Sequence, residues 1–166
     1  MLWFTLQEED YPSALKQAIA IDKRFQGEGR RTYEIATIAA DNKDYGTAIA
    51  GYDHIRKSYS EFSPCYEAAL SGSIHTRYLQ ITSQYPPEMT KIKQLSVELD
   101  SFFRQHPLRD ANLGTYLNRV EIEAVYMKNI PMATGLLEKA IETPGLSAKG
   151  KAACKLQLGD IYHLED

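Results

Sequence analysis

At 166 residues, with 43% hydrophobic and 25% charged residues, the chain is long enough for one domain with a substantial core and is ordinary in composition for a globular protein. Its net charge of −3, with 19 basic and 22 acidic residues interleaved, lacks the clustered basic face that a nucleic-acid partner demands. No stretch approaches the roughly 18 apolar residues of a membrane span, so no membrane insertion is expected, and the Met1–Phe4 start is too short and lacks the basic residues of a signal peptide.

Residues 8–25 open the pattern. Glu8, Glu9 and Asp10 put negative charge where a helix begins, Pro12 fits its first turn, and Ala14, Ala18 and Ile21 form the inner stripe. Gln26 to Gly29 breaks this helix. Arg31–Tyr59 then reads as two short amphipathic helices about a polar turn at 41–44, whose Asn and Asp side chains can cap the second. Ile35, Ala36 and Ala39 are the inner stripe of the first, and Ala48, Tyr52 and Ile55 of the second.

A longer helix is predicted from Pro64 to about Gln84, with Ala69, Leu70, Ile74, Tyr78 and Ile81 inward, ended by Tyr85-Pro86-Pro87. Glu88 to Gln105 follows, carrying Ile92, Leu95, Leu99 and Phe102 and closed by His106-Pro107. Near Asp110 another helix begins, with Leu113, Leu117, Val120 and Ala124 inward; Asn129-Ile130-Pro131 turns the chain into a helix bearing Ala133, Leu137 and Ala140. After Pro144-Gly145, residues 147–164 form a last helix with Leu156, Leu158, Gly159 and Tyr162. No segment alternates as a strand would. Most of the 11 tyrosines are read as core spacers, and Cys65 and Cys154 as two buried, reduced thiols.

Leu158-Gly159-Asp160-Ile161-Tyr162, Ala133 with Leu137, Ala140 and Pro144, and Ile35-Ala36-Ala39 followed by Ala48 and Tyr52 together resemble the tetratricopeptide repeat (TPR) family, and more loosely the long repeat proteins of Bacteroidetes-type bacteria. The copies are degenerate: Glu121 stands where a small residue belongs, and the unit after Pro64 is over length. The resemblance implies an all-α fold, a TPR-like α-α superhelix of about eight or nine helices, as one domain over residues 1–166. It also implies a non-enzymatic protein–protein interaction scaffold that offers a concave groove to a protein or peptide partner; a purely architectural spacer in a larger repeat protein is the alternative. The repeat phase places Arg30, Tyr33, Thr37, Asp41, His75, Asn118, Ile122 and Tyr126 on that groove. The family's clamp for a C-terminal carboxylate is absent, since its lysine and asparagine positions fall on Tyr33 and Thr37 in one unit and on Asn118 and Ile122 in another.

No catalytic, metal or cofactor site is expected. Gly145–Ala152 comes within one residue of a phosphate-binding loop, but Ala152 replaces the hydroxyl that would hold Mg²⁺ and a helix, not a strand, precedes it. His54, His75, His106 and His163 are scattered over different units. The repeat phase further predicts a fragment cut within repeats at both ends. Leu2, Trp3 and Phe4 at one end and Leu158, Ile161 and Tyr162 at the other are expected to leave open apolar stripes, through which the chain self-associates or which fold back on their own unit.

Overall fold

The computed structural model describes residues 8–163, so Leu2, Trp3 and Phe4 lie outside the described residues. Within them the chain is all-α, with eight α-helices and no strand. It divides into two compact units at Ser83/Gln84.

The first unit holds four helices: α1 (Tyr11–Phe25), α2 (Arg30–Asp41), α3 (Tyr45–Ser58) and α4 (Tyr66–Thr82). Two of them start on a local carboxylate cap, in which Asp10 accepts from the Ser13 amide and Asp44 from the Thr47 amide, each at 3.1 Å. Short links reverse the chain, so α1 packs on α2, α2 on α3 and α3 on α4. The inner stripes fall where their spacing predicts. Ala14, Leu15 and Ala18 meet Ile35, while Ala36, Ala39, Ala48, Tyr52, Ile55 and Ala69 form a second cluster. Ile21 is only half-buried, and Asp22 beside it goes inside instead.

Small residues set how close these helices come. Ala48 has no exposed surface, and a Cβ built on Gly51 would stand 2.8 Å from the Cβ of Ala36 across the α2–α3 crossing. A Cβ on Gly72 of α4 would likewise stand 2.8 Å from the Tyr52 ring. Gly29 is fixed for another reason: its φ of +85° begins α2 in a left-handed conformation that a side chain resists.

The second unit comprises α5 (Met89–Gln105), α6 (Leu113–Glu121), α7 (Ile130–Glu142) and α8 (Ala148–Tyr162). A short 3₁₀ turn, Asp110–Asn112, leads into α6, and a π-helical turn, Ile122–Tyr126, extends it. The core gathers Tyr116, Val120, Ala124, Ala133, Leu136, Leu137, Ala140, Cys154 and Ile161. Ala133, like Ala48, is 0% exposed. The Tyr116 hydroxyl donates to the Leu136 carbonyl at 2.8 Å, and its ring meets Phe103 edge-on at 5.0 Å. Burial pushes the Tyr116 hydroxyl above its ordinary value, with Arg119 partly opposing the rise. Cys65 is half-buried and Cys154 fully buried, and both are free thiols.

Candidate functional site

The residues expected on one groove separate in the structure. On α2, Arg30 is exposed and pairs with Glu34 at 3.3 Å, and Asp41 is exposed at the far end of the same stripe. Between them the stripe turns inward. The Thr37 hydroxyl lies 3.0 Å from the Tyr33 carbonyl and 3.2 Å from the Tyr52 hydroxyl, and the Tyr33 and Tyr52 rings pack with centroids 5.7 Å apart. Burial raises the Tyr52 hydroxyl, the Thr37 bond opposes the rise, and Tyr33 and Asp41 add to it. His75 on α4 is half-buried.

On α6 the phase differs from the expected one. Asn118 is 7% exposed and Ile122 0%, so neither presents its side chain to solvent. The reason is local crowding: α5 and α7 both pack on α6 and its π turn, which buries more than a single stripe. Tyr126 remains half-buried.

What α6 does present is a different edge. In the π turn the Met127 amide donates to the Ile122 carbonyl at 2.9 Å, an i→i+5 bond that inserts one residue into the helical register. Residues beyond Glu121 are rotated accordingly, leaving Ala124 inside and Val125 38% exposed. Opposite stands α8, whose start is fixed twice. The Ser147 side chain accepts from the Gly150 amide at 3.1 Å, and the Asp110 carboxylate accepts from the Ser147 amide at 3.2 and 3.3 Å. Gly150 is required there, since a Cβ would stand 2.5 Å from that carboxylate. The segment that nearly matches a phosphate loop is therefore a helix-to-helix turn whose amide end already carries an anion.

Between them α6 and α8 leave a cleft of about 370 Å³ lined by Glu121, Ala124, Val125, Leu156, Gln157, Asp160 and Ile161. Ala124 and Ile161 are its buried floor, Val125 and the 72% exposed Leu156 its apolar walls, and Glu121, Gln157 and Asp160 its polar lining. Of the residues expected to form an open stripe on the last helix, Ile161 is folded into its own unit, Leu158 is half-buried and Tyr162 is exposed. Two signals for the cleft were present in the sequence. One is Glu121 at a repeat position reserved for a small residue. The other is the apolar character of α8 around its whole circumference, with Ala152 and Leu156 outward and Cys154 and Leu158 packed on the core.

Two further clefts lie in the first unit. One, of about 570 Å³, runs beside Asp22, His54, Ser58 and Tyr59. Its carboxylate is committed elsewhere. Asp22 accepts from the Arg31 amide at 3.1 Å and from the Thr32 amide and hydroxyl at 2.8 and 2.7 Å, which caps α2 from the preceding helix. The other, of about 430 Å³, is lined by Asp53, Arg56, Lys57, Tyr66 and Arg77, and its charges are already engaged. Arg56 and Ser73 both donate to Asp53 at 3.3 Å, and Arg77 donates to Ser73 at 3.0 Å. No group of three or more His, Cys, Asp or Glu side chains able to hold a metal occurs among the described residues.

The fold thus defines an all-α protein built of successive packed helices, with a cleft between two helices of its second unit. Compared with known proteins, the chain matches no family model, no curated protein and no solved structure.

Proposed function

We propose that this chain is a non-enzymatic protein-interaction scaffold of the tetratricopeptide-repeat kind, holding a peptide segment of a protein partner without a cofactor. The observation that carries this reading is the α6–α8 cleft, in which an apolar floor and an exposed Leu156 are bordered by polar side chains. It lies between the first helices of two consecutive helix pairs, where the repeat phase puts a partner groove. A buried floor with an exposed leucine at its side suits an apolar anchor, and covering a side chain such as Leu156 contributes about 1.5–3 kcal/mol.

Selection of random dodecapeptides displayed on phage against the full chain tests this. We expect an enriched set of binders that Leu156→Asp abolishes while leaving the melting temperature unchanged. No enrichment, or binders indifferent to Leu156→Asp, would overturn it. The alternative reading, an architectural spacer, draws on α2, where Tyr33 and Thr37 are taken up by contacts within the unit.

A further inference from the structure

We infer that the occupant of the α6–α8 cleft is a protein segment presenting a bulky apolar side chain flanked by lysine or arginine. This rests on the groove reading above and adds the chemistry of the partner. Both charged side chains that line the cleft, Glu121 and Asp160, are carboxylates, and Gln157 is its only other polar lining residue. Lys155 is exposed on the same helix but does not line the cleft.

The two carboxylates differ in setting. Glu121 is half-buried and Asp160 exposed. An anchor seated on Ala124, Val125, Leu156 and Ile161 covers both carboxylates and strips part of their water. A neutral segment leaves them without a replacement partner, and an acidic one adds like-charge repulsion. A cation on each side of the anchor supplies both donors and opposite charge, and by steering it also speeds encounter. Neither carboxylate has a hydrogen bond or ion pair within the protein that would satisfy it first: the salt bridges of this unit join Lys91 to Glu88 and Arg119 to Asp100.

The test uses two fluorescein-labelled dodecapeptides with the same Leu-Trp-Leu centre, one flanked by lysines and one by glutamates, titrated against the full chain. Amide shifts locate each on the protein. The lysine peptide should move the resonances of Val125, Leu156 and Asp160 and bind about ten-fold more tightly than the glutamate peptide, a ratio that shrinks toward one in high salt. The double substitution Glu121→Gln with Asp160→Asn should bring the two peptides to within about two-fold of one another, its fold checked by its amide spectrum. Equal affinity of both peptides at these resonances overturns the basic partner and leaves the groove standing. Shifts confined to other residues, or none with either peptide, overturn the groove and the partner class together.

Discussion

Asp22→Ala should be the most damaging single change in the first unit. The side chain is 1% exposed and its carboxylate takes the Arg31 amide, the Thr32 amide and the Thr32 hydroxyl at 3.1, 2.8 and 2.7 Å. With Gly29 as the cap residue and no side chain there, Arg31 and Thr32 are the second and third residues of α2, whose amides have no partner within the helix. Losing such a cap costs about 0.5–2 kcal/mol. Thr32 is itself 0% exposed, so its amide and hydroxyl are then buried without acceptors, a further penalty of about 1–3 kcal/mol. The overlap between these terms puts the expected loss at about 2–4 kcal/mol. Urea unfolding followed by circular dichroism measures it, and amide exchange at Arg31 and Thr32 localises it. Gly27→Ala gives an independent check, because its new Cβ would lie 2.5 Å from Asp22 Oδ1 and push the carboxylate off those amides. In the Asp22→Ala background that clash is gone, so the two losses should be strongly non-additive. A variant that unfolds within about 0.5 kcal/mol of wild type, with unchanged exchange at Thr32, would refute the cross-helix cap.

Ala48→Leu and Ala133→Leu, at positions with no exposed surface in either unit, should each cost about 1–3 kcal/mol by overpacking a helix crossing; thermal melts indistinguishable from wild type would remove the assignment. Burial raises the thiols of Cys65 and Cys154 and the hydroxyls of Tyr52 and Tyr116, each a group whose protonated form is neutral. A raised folded-state value means that their contribution to stability is full below the unfolded values of about 8.5 and 10, and is lost as pH climbs through the raised ones. Urea midpoints should therefore fall between pH 8 and pH 11, and iodoacetamide at pH 7.5 should reach Cys65 slowly and Cys154 only on unfolding. Rapid alkylation of both thiols in the native state would contradict the burial argument.

Much of the helical framework was legible in the sequence because its causes are local. Asp10, Asp44, Asn129 and Ser147 cap helices that begin a residue later, and each accepts from an amide three residues on. The stripes Ala14-Ala18, Ala48-Tyr52-Ile55 and Ala133-Leu137-Ala140 repeat at a helical period and are buried where that period puts them. The tertiary structure decided what depends on residues distant in sequence. No local rule marks Asp22 as the cap of the following helix, because its role arises only when the left-handed link at 26–29 folds α2 back beside α1. Nor does periodicity reveal the π turn: Ile122–Tyr126 looks like ordinary helix, and the extra residue shifts the exposed edge from Ile122 to Val125. Asn118 and Ile122 sit at groove positions by repeat phase yet are covered, since burial follows from how many neighbours pack on a helix as well as from its own pattern. The cleft needs all of this at once. Glu121 and Asp160 stand far apart along the chain, and they line one cleft only because the Asp110 carboxylate and the close approach at Gly150 hold the start of α8 against that of α6.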